Sequence, residues 1–341
     1  MKAMVLHRVG PVETNPLQLE ELDPPEPGEH EVRVRVDKCG VCRTDLHIVE
    51  GDLPPLRPTV IPGHEIVGTV DRVGAHVNTL TEGGTVGIPW LHHTCGRCEY
   101  CTTGRENLCP YKVFTGYSTN GGYAQYAIGE EGYVFPLPNL PKAEAARIAP
   151  LLCAGIIGYR AFKVAMPRPG GRIGFFGFGG SAHLTLQLAS KLGFDTVAYS
   201  REPDHLELAT KLGANETVLI PRSASTSVTP SLDGAIVFAP AGEVVLDALR
   251  ELKKGGTLSI AGIHMTPIPA IDYDRLLFGE RAIVSVEANT RADAREFLDL
   301  AVRLGLRGTV QVRPLKEANG ALQDLKAGRV LGAVVLDCAS A

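Results

Sequence analysis

Arg172-Ile173-Gly174-Phe175-Phe176-Gly177-Phe178-Gly179-Gly180-Ser181-Ala182 is the stretch that decides the fold. Its first half reads as a buried strand running into glycines. Leu184, Leu188 and Leu192 then recur every four residues, predicting a helix that stops at Gly193. A strand, a glycine turn and a helix form the context that gives a G-x-G-x-x-G/A match its meaning. In that pattern Gly177 permits the tight turn and Gly179 lets the backbone approach a pyrophosphate. Ala182 stands where a third glycine often allows close helix–strand contact. The helix N-terminus, with Gly180 and Ser181 in its first turn, favours a diphosphate.

Downstream, strands are expected at 196–199, 234–238, 257–261 and 282–286, with helices at 204–212 and 244–252. Alternating strands and helices imply βαβ units and a parallel sheet. The second strand should show the cofactor choice, because NAD sites usually place Asp or Glu at its end to bind the ribose. Here it ends Tyr199-Ser200-Arg201, while Asp195 precedes the strand and points to its wrong end. Ser200 and Arg201 can donate to a 2′-phosphate, with a charge-assisted bond from the arginine. NADP(H) is therefore favoured over NAD(H), although Glu202 keeps NAD open.

Upstream, residues 30–150 read as β-rich. Val32, Val34 and Val36 alternate with charged residues, further strands are expected at 66–70 and 84–88, and Pro and Gly punctuate the whole region. The last fifty residues hold an amphipathic helix at 292–304 and a strand at 332–336. They have no glycine fingerprint and can rejoin the first domain.

A chain of 341 residues fits two domains. Apolar content of 44% and charged content of 21% are ordinary for globular proteins. Net charge is −4 with no block of like charges, which speaks against a nucleic-acid groove or an anionic-membrane patch. The start has only a four-residue apolar run, and the stretch 148–159 falls short of a membrane span. A cytoplasmic protein is expected. There, eight cysteines point to metal or catalysis before disulfides.

Cys95-Gly-Arg-Cys98-Glu-Tyr-Cys101, with Cys109 after seven more residues, is the strongest metal signal. Four thiolates can surround one tetrahedral zinc and leave no open position, so such a site staples a loop. An iron–sulfur cluster or a set of reduced loop cysteines is the alternative. Three weaker pieces are Cys39-Gly-Val-Cys42-Arg-Thr-Asp-Leu-His47, Pro62-Gly63-His64-Glu65 and Leu152-Cys153-Ala154-Gly155. Each alone is unspecific: a histidine after glycine is common, and Cys153 in an apolar run is by default a small core residue. Two sulfurs and one imidazole together would leave zinc an open position.

The order and spacing of these motifs resemble the zinc-containing medium-chain alcohol dehydrogenases, including their cinnamyl-alcohol-dehydrogenase-like branch, over essentially the whole chain. The resemblance implies a Rossmann doubly wound parallel sheet joined to a β-rich GroES-like catalytic domain. Residues 1–154 would form the catalytic domain with a zinc lobe near 92–112, residues 155–291 the dinucleotide-binding domain, and 292–341 the return. It further implies two Zn2+ per chain. Cys42, His64 and Cys153 would hold the catalytic ion and Cys95, Cys98, Cys101 and Cys109 the structural one, leaving Cys39 a bystander. Glu65 would assist ligand exchange at zinc, and Asp45 would orient the ligand histidine. Thr44 and His47 would relay the proton and Arg43 would face the cofactor pyrophosphate. Trp90 would form a pocket wall or an ordinary core tryptophan, and His92 and His93 would be structural or pocket-edge residues.

The chemistry needs these residue types. Hydride leaves carbon readily only from something close to an alkoxide, and a Lewis acid lowers the pKa of the alcohol. A histidine with an unperturbed pKa near 6.5 suits the last proton transfer. The expected activity is reversible hydride transfer between a primary or secondary alcohol and NAD(P), giving an aldehyde or ketone, in a homodimer or homotetramer. A polyol or formaldehyde dehydrogenase on the same scaffold, or a non-catalytic NADP-binding redox sensor with structural zinc only, is the alternative. A zinc-free quinone reductase is disfavoured by Cys42, His64 and Cys153.

Overall fold

A computed structural model describes residues 1–138, 141–165, 168–220 and 229–339. The chain divides into two compact units. One comprises Met1–Cys153, Ala288–Glu296 and Arg307–Ala341, and the other Ala154–Glu287 with Phe297–Leu306.

The first unit is built on Glu31–Val41, a long strand whose Val32, Val34 and Val36 are fully buried. Period-2 alternation puts these valines on one face, where they join the core with Ile66, Val70 and Ile88. Antiparallel neighbours are Glu65–Val73, Tyr126–Glu130 and Ala333–Asp337, with Leu336 opposite Cys39. Thr85–Ile88 and Phe135–Pro136 extend the sheet on one side, and Val310–Pro314 closes the other, parallel to Ala333–Asp337. The terminal strand thus lies in the first unit.

The return is not uniform. Residues 292–341 were expected to rejoin the catalytic domain as a block, but Phe297–Leu306 clusters with the second unit. The reason is packing. The helix Arg291–Leu304 carries Phe297 fully buried, with its ring 5.8 Å from that of Tyr159 in the helix Ala154–Ala165.

The second unit is a six-stranded sheet in which every pairing is parallel. Its order is Glu216–Leu219, Asp195–Ser200, Arg172–Phe176, Leu232–Val237, Leu252–Ile260, Ala282–Ser285. The order reverses between Arg172–Phe176 and Leu232–Val237, the switch point where doubly wound sheets bind dinucleotides.

Candidate functional site

Cys42 directly follows the first unit's long strand and caps the helix Arg43–Glu50. Asp45, on the first turn of that helix, is fully buried and takes four donors on two oxygens. Its Oδ2 accepts from the Cys42 backbone N–H at 2.9 Å and from the Tyr123 hydroxyl at 3.0 Å. Its Oδ1 accepts from the Gly63 N–H at 3.1 Å and lies 3.0 Å from His64 Nδ1. One carboxylate therefore ties the turn carrying Cys42 to the turn carrying His64, and it sets the imidazole with Nδ1 inward.

His64 Nε2 is fully buried and has no hydrogen-bond partner. Such an atom costs stability unless something else satisfies it. The sulfurs of Cys42 and Cys153 lie with a His64 ring nitrogen inside one group whose ligand atoms are within 4.8 Å of one another. Two thiols and an imidazole nitrogen, closely grouped and buried, fit a three-ligand zinc position. The Cys153 thiol, hydrogen-bonded to the Cys42 sulfur, holds Cys42 well below the usual thiol range and is itself pushed up. Thr44 Oγ1 sits 3.7 Å from Cys42 Sγ.

Glu65 opens the next strand opposite Gly40. Its carboxylate fills the space above that glycine: a Cβ on Gly40 would fall 1.9 Å from Glu65 Oε2. Trp90 is buried with its ring edge on His64, centroids 4.7 Å apart, and stacks on Phe114 at 4.5 Å. Tyr117 continues the stack. Cys39 is buried beneath this region, and burial pushes its thiol well up, so it stays protonated and inert. His93 pairs with Glu130 at 2.6 Å and His92 is buried, its pKa lowered by burial; neither joins a metal-capable group among the described residues.

The lobe cysteines converge as well. Cys98–Cys101, Cys95–Cys109 and Cys95–Cys101 sulfur distances are 3.5, 3.6 and 3.9 Å. Bonds of about 2.3 Å to a tetrahedral ion would put sulfurs about 3.8 Å apart. The backbone N–H groups of Arg97 and Cys98 help hold the Cys95 thiol down to about 6, ready to ligate as thiolate.

In the second unit Gly177 adopts φ +87°, and a Cβ there would meet Ala239 N at 2.9 Å, so both turn and packing demand glycine. Nothing lies within 4 Å of where a Gly179 Cβ would stand. Gly180 and Ser181 open the helix Gly180–Lys191, and Ala182 is fully buried behind them. Ser200 ends its strand with its hydroxyl accepting from the Glu202 N–H at 3.1 Å, and Arg201 beside it is exposed. Asp195 stands at the strand's other end, paired to Arg172. In the first unit, Arg43 donates to the Leu325 carbonyl at 3.1 Å.

Sequence reading had not singled out Tyr123, Phe114, Tyr117 or Asp52, which bonds His47. The Gly121-Gly122 pair before Tyr123 was the one local hint.

Comparison with known proteins agrees with this layout. The alcohol dehydrogenase GroES-like domain family matches residues 28–139, and the zinc-binding dehydrogenase family matches residues 180–303. A probable alcohol dehydrogenase, AdhA, of Mycobacterium tuberculosis is 47% identical, covering 98% of this chain and 97% of its own. Among solved structures, a cinnamyl alcohol dehydrogenase of Sorghum bicolor is 29% identical with a TM-score of 0.89, covering 99% of this chain and 97% of the other. Acetophenone reductase of Geotrichum candidum, solved with NAD, is 27% identical with a TM-score of 0.85, covering 98% and 96%. Fold and site define a zinc-type dehydrogenase that uses a nicotinamide cofactor. The chain belongs to the zinc-containing medium-chain alcohol dehydrogenase family, and it is an oxidoreductase that interconverts alcohols and aldehydes.

Proposed function

We propose that the chain carries two zinc ions and works with NADP(H) on a primary or secondary alcohol. Cys42, His64 and Cys153 hold the catalytic ion, and Cys95, Cys98, Cys101 and Cys109 the structural one. The observation that carries the reading is the buried, partnerless Nε2 of His64 beside two cysteine sulfurs. Zinc held there supplies the Lewis acidity that eases loss of the alcohol proton.

The chain's own groups do the rest. Asp45 fixes the His64 ring, and Glu65 stands ready to exchange with a ligand. Thr44 and His47 pass the proton outward, Arg43 meets the pyrophosphate, and Trp90 with Phe114 walls the substrate. Gly177, Gly179, Gly180, Ser181 and Ala182 cradle the dinucleotide, while Ser200 and Arg201 meet the 2′-phosphate. A polyol or formaldehyde dehydrogenase is the second reading. The non-catalytic sensor is set aside by the family to which the chain belongs.

The protein is proposed to be cytoplasmic. All eight cysteines are free thiols, as such metal sites require, and no single helix among the described residues is long and apolar enough to cross a membrane. It is proposed to form a homodimer or homotetramer, since Tyr273, Phe278 and Val284 are exposed at or beside the edge strand Ala282–Ser285.

Metal analysis tests the centre. Two zinc ions are expected per wild-type chain. Cys42→Ala should retain the fold with one zinc and no turnover; a variant that keeps two ions and full activity removes the ligand assignment.

A further inference from the structure

We propose that Glu29, His30 and His76 form a further metal site, which takes a divalent cation of the zinc, nickel or copper kind from solution.

His30 directly precedes the long strand Glu31–Val41, and His76 follows the neighbouring strand Glu65–Val73. The two strands run antiparallel with Val32 opposite Val73, so the two turns meet at one end of the sheet. Their backbones are tied together. The His76 N–H donates to the Glu29 carbonyl at 2.8 Å, and the Gly74 N–H to the Glu31 carbonyl at 2.9 Å. The Glu131 N–H holds the His30 carbonyl at 3.0 Å. Gly74 makes the approach possible, because a Cβ there would fall 2.0 Å from the Gly28 carbonyl oxygen. With the backbone set in advance, little ordering is left to oppose ion binding.

One ligand atom from each of the three side chains lies within 4.8 Å of the other two. His76 Nδ1 stands 3.4 Å from Glu29 Oε2, beyond the usual N–H···O range. Donor atoms at about 2.1 Å from a tetrahedral ion are themselves about 3.4 Å apart. The imidazole rings of His30 and His76 have centroids 5.1 Å apart and are tilted by 49°. Two rings bound through nitrogen to one such ion would have centroids about 5 Å apart. Two imidazoles with one carboxylate suit zinc, copper or nickel better than magnesium or calcium. Side-chain exposures of 73% for Glu29 and 58% for His76 open the position to dissolved ions and leave room for water ligands.

Three protein ligands in open water hold an ion loosely, so it leaves on desalting and adds nothing to the count of tightly held zinc. Cys42 follows the other end of the same eleven-residue strand, about 35 Å away at the usual rise. The further ion therefore acts on the sheet, tying the turn before one strand to the turn after its neighbour, and leaves turnover alone.

The experiment is a calorimetric titration of desalted, zinc-loaded holoenzyme with Zn2+. Wild type should take up one further ion per chain with micromolar affinity. His30→Ala and His76→Ala should each weaken that step at least about tenfold. Both variants should keep wild-type kcat, which also shows that they fold. Added Zn2+ should raise the melting temperature of wild type and not that of the double variant, because only an ion that binds the folded state stabilises it. If wild type takes up no further ion, or if His76→Ala takes it up as tightly as wild type, the site is overturned. A fall in kcat in either variant would overturn its separation from catalysis. The further ion is read as the difference between wild type and variants, so the result does not depend on how many tightly held ions the chain carries.

Discussion

Glu106 grips Arg291 on three of its nitrogens. The carboxylate accepts from the Arg291 backbone N–H at 2.7 Å, from Nε at 3.0 and 3.1 Å, and from Nη2 at 2.6 Å. Glu106 lies between Cys101 and Cys109, and Arg291 lies in Ala288–Glu296, the segment by which the chain re-enters the first unit. The Arg291 guanidinium also lies over the Tyr133 ring at 4.7 Å. The lobe is thus clamped to a segment 185 residues away.

Burial alone would raise the Glu106 carboxyl, but the Arg291 hydrogen bonds outweigh it and hold it below the usual range. A carboxylate lowered in the folded state adds stability that is whole above its unfolded pKa, about 4.3. That contribution is lost as pH falls through the lowered folded value. Glu106→Gln should therefore cost about 1–3 kcal/mol at neutral pH. Melting curves of the two proteins should converge on acidification, and a gap that holds or widens below pH 4 would contradict the assignment.

Asp45→Asn keeps the shape but gives His64 Nδ1 and three other donors an amide that can accept only on one side. Zinc affinity at the three-ligand position should fall about 10–100-fold. Competition with a chromophoric chelator should show one ion lost early, with the four-cysteine ion retained. Loss of both ions together would point to general unfolding instead.

Gly40→Ala should disturb the same centre from behind, because the new methyl occupies the place of the Glu65 carboxylate. Overpacking of this kind costs about 1–3 kcal/mol. Thermal denaturation should show that loss together with a lowered kcat. Unchanged kcat and melting temperature would mean that Glu65 moves aside freely.

Arg201→Ala should weaken NADPH and leave NADH nearly untouched. Removal of one charge-assisted bond is worth about 1.5–3 kcal/mol, or about 10–150-fold in KM for NADPH. Equal changes for both cofactors would transfer the choice to other residues.

Much of this was legible in the chain because it rests on local chemistry. Val32, Val34 and Val36 announce their strand by alternation. The Gly177 turn announces itself by its flanking strand and helix, and the lobe by four cysteines within fifteen residues. What was not legible depends on distant pairing. Tyr123 reaches Asp45 across 78 residues, and Phe114 reaches Trp90 only because the chain returns. Asp52 is five residues from His47, outside helical contact spacing, and meets it only after Gly51 reverses the backbone. The edge strand Glu216–Leu219 escaped notice because it is short and poorly buried. Residues Phe297–Leu306 escaped because one amphipathic helix divides its length between two cores.

The four contacts of Asp45 draw a line through the space of workable relatives. A carboxylate has two accepting oxygens and serves an imidazole, a phenol and two peptide groups at once, so change at this position is expected to be costly. The aromatic wall of Trp90, Phe114 and Tyr117 meets that hub where Trp90 packs against the His64 ring. Divergence toward new alcohols, in nature or in a laboratory library, is expected to proceed by exchanging the wall and leaving the anchor alone.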